Sequence, residues 1–198
     1  MLKQFISFNA NYKEFKKLIK RYSAEDRERV LGAFEFAKKY HASQKRDEGV
    51  PYIIHPVRVA NILMKERDYY DPDVIIGALL HDVVEDSPVK VGQIGRKFGS
   101  EVKRLVIGMT RVKTRENKYI KFKKTMKADY RIRMIKCADV LDNVRSWPLS
   151  TKTYKFPRWF KEVREMYLTL AKNTDEYIYK EMDKLINSKK YKELLLKK

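Results

Sequence analysis

Four ionisable side chains crowd the end of an almost wholly apolar run, Asp71-Pro72-Asp73-Val74-Ile75-Ile76-Gly77-Ala78-Leu79-Leu80-His81-Asp82-Val83-Val84-Glu85-Asp86. Asp71 suits an N-cap and Pro72 a first helical turn, so a helix starts here. Val74, Ile75, Ala78, Leu79, Val83 and Val84 give it a broad apolar surface and predict that it is largely buried. Its C-terminal end then carries His81, Asp82, Glu85 and Asp86 where the helix dipole disfavours negative charge. Carboxylates in such a place need a cation beside them.

The 198 residues hold no Gly/Ser-rich or Pro-rich linker, which predicts a single domain over 1–198. No apolar run approaches the roughly 20 residues that span a bilayer, so no membrane association is expected. The start Met-Leu-Lys-Gln-Phe-Ile-Ser-Phe lacks a secretory pattern, and the one cysteine, Cys137, cannot form an internal disulfide. The expected location is the cytoplasm.

The 45 Lys+Arg against 26 Asp+Glu give a net charge of +19, which draws phosphate-bearing partners toward the chain. Part of the excess is local. Residues 111–136 carry eleven basic residues, including Arg111, Lys113, Arg115, Lys121, Lys123, Lys124 and Lys136, against Glu116 and Asp129. Two readings of that segment stand side by side: a solvated helix face, or a surface that holds a polyanion such as tRNA.

The periodicity is helical throughout, and the expected class is all-α. Ser23 to Asp26 reads as a cap for a helix over about 24–41; Ala42 to Pro56 reads as a loop, and Val57 to Lys65 as the next helix. The 71–86 helix runs to the Ser87-Pro88 break. Two short helices, Val91 to Phe98 and Glu101 to Met109, flank Gly99-Ser100. One long helix is expected from 115 to near Pro148, and a further long helix or pair from Pro157 to about Asn187.

There are only three histidines, His41, His55 and His81. His55 precedes Pro56, His81 precedes Asp82, and Asp139 lies in the apolar run Ile135 to Leu141, so distant segments each offer one buried donor. Two imidazoles with two carboxylates suit Mn²⁺, Fe²⁺ or Zn²⁺ better than Ca²⁺ or Mg²⁺. Residues 81 and 85, 82 and 86, and 139 and 143 are i,i+4 pairs, which aims Glu85 and Asp86 at the same cavity as the ion, where a carboxylate can exchange protons with water or a leaving group. The spacing does not choose between the two carboxylates. His41 lacks a partner at ligand spacing and reads as a structural or pocket-wall histidine; Cys137 reads as a small core residue, and Trp147 and Trp159 as mostly core.

The set His55, His81-Asp82 and Asp139 resembles the H…HD…D pattern of the HD superfamily of metal-dependent phosphohydrolases. Four surrounding blocks resemble, in order and in register over about 25–147, the hydrolase domain of RelA/SpoT proteins and their stand-alone relatives: Gln44 to Ala60 with Arg46 and His55, Ala78 to Ser87, Phe98 to Thr110, and Ile135 to Arg145. This implies a helical bundle with a metal site between helices, and the helical spacing after Pro157 adds a helical extension over 150–198. It also implies hydrolysis of the 3′-pyrophosphate of (p)ppGpp, with Mn²⁺ the usual metal and Fe²⁺ or Zn²⁺ second choices. Carried over by position, His55, His81, Asp82 and Asp139 match metal ligands, and Glu85 and Asp86 match the water-activating pair. Arg46, Asn143 and Ser146 match nucleotide contacts.

The sequence also departs from that pattern. Val140 follows Asp139 where Arg or Lys is usual, and Asp142 stands where an aromatic residue or histidine is common. The loop around Lys45-Arg46 is short, so either cation can fill the Arg46 role. These departures leave nucleotide preference open: the same chemistry on (p)ppApp or on 3′-pyrophosphorylated tRNA, or a non-catalytic basic RNA-binding domain, are the alternatives, and a homo-oligomer is a further possible partner state.

Overall fold

The computed structural model describes residues 2–111 and 118–196. Among these residues the regular structure is helical, with one isolated bridge between Lys45 and Pro51. The elements are α1 (Leu2–Phe5), α2 (Phe8–Leu18), α3 (Ala24–Tyr40), α4 (Ile54–Asn61), α5 (Pro72–Leu80), α6 (Val83–Asp86), α7 (Val91–Phe98), α8 (Ser100–Met109), α9 (Lys118–Met126), α10 (Tyr130–Ser146), α11 (Phe156–Glu162), α12 (Leu168–Lys172), α13 (Glu176–Asn187) and α14 (Lys189–Leu194). Among the described residues no helix is long and apolar enough to cross a membrane.

Helix α5 is the centre of the bundle. All seven residues from Val74 to Leu80 are buried, and the helix packs against α3, α4, α8 and α10. That encirclement explains why its sequence is apolar on every side. Gly77 is where the neighbours come closest, since a Cβ there would lie 3.2 Å from Ile135 Cδ1 and 3.3 Å from Leu105 Cβ. Asp71 caps α5 as the sequence predicts: its Oδ1 accepts from Asp73 N at 2.9 Å and Val74 N at 3.2 Å. Asp71→Ala is therefore expected to cost about 1 kcal/mol and lower Tm by roughly 2–4 °C in a thermal melt. Ser23 likewise accepts from Asp26 N at the start of α3.

Three expectations from sequence are corrected, and two helices are added to them. The helix bearing His81 does not run on to Ser87: α5 ends at Leu80 and α6 restarts at Val83, because the Ala78 carbonyl accepts the His81 ring N–H at 2.7 Å. Helix α4 begins at Ile54, so His55 and Pro56 sit in its first turn rather than at the end of a loop; proline suits that turn because the first N–H groups of a helix have no intrahelical acceptor. The basic segment and the Asp139 helix are separate. Helix α9 ends at Met126, turns through Lys127 and Ala128, and Asp129 caps α10 by accepting from Arg131 N at 2.8 Å. Finally, α1 and α2 precede the first helix read from the sequence. Phe15 of α2 is fully buried, and Tyr12 stacks on Phe34 of α3 at 4.6 Å.

The segment after α10 folds back on it. Trp147 stacks on Trp159 at 5.7 Å, and the Tyr191 hydroxyl donates to the Val144 carbonyl. Wide π-helical turns at Ile62–Glu66 and Val163–Tyr167 end α4 and join α11 to α12.

Candidate active site

His55, His81, Asp82 and Asp139 come from α4, the α5–α6 junction and α10, and their donor atoms converge. His55 Nε2 lies 3.3 Å from His81 Nε2 and 3.2 Å from Asp139 Oδ1. Asp82 Oδ2 is 3.1 Å from His81 Nε2 and 3.7 Å from His55 Nε2, and Asp139 Oδ1 is 3.8 Å from His81 Nε2. Adjacent ligands of an ion bound at about 2.1 Å lie roughly 3 Å apart, and opposite ones about 4 Å. The ligand atoms of His55, His81 and Asp82 all lie within 4.8 Å of one another, a spacing that one ion can bridge, and Asp139 stands beside them, 3.2 Å from His55 Nε2.

The tautomers point the same way. His55 Nδ1 is 2.7 Å from Asp142 Oδ2, and His81 Nδ1 is 2.7 Å from the Ala78 carbonyl. Both partners are pure acceptors, so each Nδ1 carries the proton and each Nε2 turns a lone pair inward. Two lone pairs facing each other at 3.3 Å beside two carboxylates need a cation between them. Without a metal a proton takes that place: burial disfavours charge on His81, but the Asp82 charge and hydrogen bond, with Asp139, raise its pKa to about 9. The Asp82 carboxyl is lowered by His81 and His55 against the effect of its own burial.

The remaining acceptors of these carboxylates are taken by neighbours. Tyr52 donates to Asp82 Oδ2 at 2.6 Å. Lys136 donates to Asp139 Oδ2 at 2.8 Å, and Asn143 donates to Asp139 Oδ1 at 2.6 Å. Burial would raise the Asp139 carboxyl, yet the Lys136 ammonium beside it holds it well below the usual carboxylate range. His41 is buried and stacks on Tyr52 at 4.7 Å; its Nδ1 pairs with Gln44 Oε1, so it stands one side chain away from the donors. Burial lowers its pKa and keeps it neutral.

A cleft of about 380 Å³ opens over the donors. Glu85 lines it, fixed by the Arg111 backbone N–H at 3.1 Å and the Arg111 guanidinium at 3.8 Å. Asp86 is exposed and lies outside the cleft lining, while its carbonyl accepts the Gln44 amide at 2.6 Å. Arg46 and Asn143 are joined at 2.6 Å on one wall, Lys45 stands exposed at the mouth, and Ser146 lies buried beside them with its hydroxyl on the Asn143 carbonyl. Trp147, Trp159, Phe122 and Tyr167 make an aromatic part of the lining.

The basic segment is largely committed within the fold. Lys136 holds Asp139, Lys118 pairs with Glu162 at 2.7 Å, and Lys121 donates to the carbonyls of Gly108 and Thr110 at the end of α8. Lys118, Lys121 and Lys136 line the cleft, so this charge faces the site rather than forming a separate outer surface. Lys123 and Lys127 are exposed; Lys113, Arg115 and Glu116 lie outside the described residues. Sequence reasoning passed over Tyr52, Lys136 and Glu162, and saw Asp142 only as a departure from pattern. The 136/139 spacing of i,i+3 was the one legible signal, hidden by counting Lys136 with the surface cations.

An HD-domain family model matches residues 33–175. The guanosine-3′,5′-bis(diphosphate) 3′-pyrophosphohydrolase of Aquifex aeolicus (strain VF5) is 36% identical over 165 residues, covering 80% of this chain and 23% of that protein. The chain thus spans about a quarter of that longer relative. The guanosine-3′,5′-bis(diphosphate) 3′-pyrophosphohydrolase MESH1 of Drosophila melanogaster is 33% identical over 149 residues, covering 73% of this chain and 81% of that one. Among solved structures, that of a metazoan ortholog of SpoT that hydrolyzes ppGpp superposes with a TM-score of 0.74 at 27% identity, covering 83% of this chain and 95% of the other. With the helical bundle, the converging His-Asp donors and a family match over most of its length, this chain belongs to the HD-domain family.

Proposed function

We propose that this protein is a metal-dependent pyrophosphohydrolase that removes the 3′-pyrophosphate of (p)ppGpp, releasing pyrophosphate and GDP or GTP, with Mn²⁺ as its ion. The observation that carries the reading is the cluster of His55, His81 and Asp82 at single-ion spacing, with Asp139 3.2 Å from His55 Nε2, in a cleft whose lining brings Lys45, Arg46 and Lys121 together with carboxylates. The relatives named as (p)ppGpp pyrophosphohydrolases support the substrate. Two imidazoles with two carboxylates favour Mn²⁺ over the all-oxygen ions. When bound, the ion supplies Lewis acidity to the phosphoryl group and to the attacking water.

The chain's own residues do the rest. Arg46, Lys45, Lys118 and Lys121 are placed to receive the negative charge of a nucleotide carrying pyrophosphate, and the Arg46 guanidinium offers a flat face to a base. Asn143 and Ser146 line the same wall. Glu85, held by Arg111 and open to the cleft, is the carboxylate we assign to take the proton of the attacking water and return one to the leaving 3′-oxygen. Asp86, the other member of the expected pair, acts from outside the lining: its carbonyl fixes Gln44, which fixes His41 under Tyr52. A single domain over 1–198 fits this assignment, since residues 150–196 supply Trp159, Glu162 and Tyr167 to the cleft.

The test is a panel of ppGpp, ppApp and 3′-pyrophosphorylated tRNA assayed with Mn²⁺ and after chelation. Pyrophosphate release from ppGpp that stops on chelation is the expected result; turnover of none of the three would refute the reading. Glu85→Gln is expected to lower kcat by about 10²–10⁴-fold, the range for loss of a general acid–base group, with Mn²⁺ affinity kept. An unchanged kcat would remove Glu85 from proton transfer.

A further inference from the structure

Behind the metal donors runs a chain of charged groups that touches both ends of the site. It starts at His55, whose Nδ1–H donates to Asp142 Oδ2 at 2.7 Å. Asp142 in turn accepts from Arg58 twice, Nε at 2.7 Å and Nη2 at 3.0 Å. The same Nη2 donates to Glu48 Oε1 at 3.2 Å, and the other Glu48 oxygen lies 3.5 Å from Arg46 Nε. Arg46 closes the circuit by donating to Asn143, which donates to Asp139. Asp142, Glu48 and Arg58 have side chains exposed by 0%, 2% and 3%.

We propose that Glu48, Arg58 and Asp142 form a buried ionic tie that positions the metal-donor imidazole of His55 and the cleft guanidinium of Arg46 together, making them one mechanical unit. The argument begins from expense. Three buried charges lose their hydration, and apolar side chains of similar volume stabilise a fold as well or better. What apolar side chains cannot give is direction. A carboxylate gripped by a guanidinium fork has fixed oxygens, so the proton on His55 Nδ1 has one place to point and Nε2 is held toward the donors. On the other side, Arg46 Nε is buried with no hydrogen-bond partner, so the Glu48 charge is what holds that edge of the guanidinium in place.

Arg58 is the informative member. It does not line the catalytic cleft; it borders a second cavity of about 450 Å³ between α2, α4 and α10, under the Phe5 ring at 4.0 Å. It touches neither the metal donors nor the place of the nucleotide. A fully buried carboxylate at 142 requires a cation behind it, which Arg58 provides.

Arg58→Lys keeps the charge and removes the fork. With the fold intact by circular dichroism, it is expected to weaken Mn²⁺ binding, measured by calorimetry on the otherwise unaltered chain, by about 10-fold, and to raise KM for ppGpp by a similar factor. A folded Arg58→Lys protein in which either quantity stays within about 2-fold of wild type, the scatter of context effects, overturns the tie. Should that variant not fold, Glu48→Gln decides: it keeps an acceptor for Arg58 and removes the charge beside Arg46, so KM rises several-fold at constant kcat, and an unchanged KM overturns the proposal. The KM arm rests on the pyrophosphohydrolase reading and the Mn²⁺ arm does not. Loss of Mn²⁺ affinity in Arg58→Lys alongside a wild type inert toward every substrate would sink that reading while keeping the His55 half of the tie.

Discussion

His81→Ala and Asp82→Ala are each expected to abolish measurable pyrophosphate release, a loss on the order of 10³-fold or more, because each removes a donor from a shared ion that supplies several kcal/mol of charge stabilisation. Loss of packing is the competing explanation, since His81 is 3% exposed and alanine leaves a cavity. The two effects separate in a thermal melt with and without Mn²⁺. An ion at about 100 times its Kd stabilises the folded state by roughly 2.7 kcal/mol. Wild type should therefore gain several degrees of Tm on adding Mn²⁺, and both variants should gain none. A variant that keeps the Mn²⁺-dependent shift while losing activity would show that His81 or Asp82 acts on substrate and not on the ion.

The features of this site differ in how far they could be read from the chain. The donors are legible because they carry rare residue types: with three histidines in 198 residues, two of them beside Pro56 and Asp82 leave little choice. Helix α5 is equally plain, since seven successive buried residues leave an unbroken apolar run. What stayed hidden depends on tertiary contact. The end of α5 at His81 follows from a side chain taking a backbone carbonyl, which no periodicity records. The split between α9 and α10 hangs on Asp129 acting as a cap within a run that otherwise has helix-forming composition.

Charge was the least transparent property. Counting basic residues over 111–136 leaves a solvated helix face and a polyanion surface side by side, yet Lys121 satisfies the end of α8 and Lys136 keeps Asp139 ionised. Long cationic side chains reach across neighbouring helices, so sequence position says little about where their charge is spent. Asp142 shows the converse. Its sequence neighbours are apolar or metal-site residues, and its partners His55 and Arg58 are more than 80 positions away; only the fold reveals it as the group that aims His55.

The second large effect is a reversal in how pH acts on the two forms of the protein. In the metal-free chain the folded pKa of His81, about 9, exceeds the unfolded value near 6.5. A raised folded pKa means that its stabilising contribution is complete below pH 6.5 and is lost as pH rises toward 9 and beyond. The Asp82 and Asp139 carboxyls, both lowered, stay ionised across this window and add no slope. An ion displaces the proton that His81 otherwise holds, so its apparent affinity climbs by about tenfold per unit between pH 6.5 and 9 and then levels off. That amounts to roughly 10²-fold or more over the window. Melts across this range should show metal-free Tm falling with pH, and the increment from a fixed Mn²⁺ concentration growing. Calorimetry at pH 7.5 in buffers of different ionisation enthalpy should report close to one proton released per Mn²⁺ bound. An increment that is flat with pH, or binding without proton release, would mean that the ion sits away from His81. The reading of the site as a proton-blocked metal centre would then fail even if the His81→Ala protein were inactive.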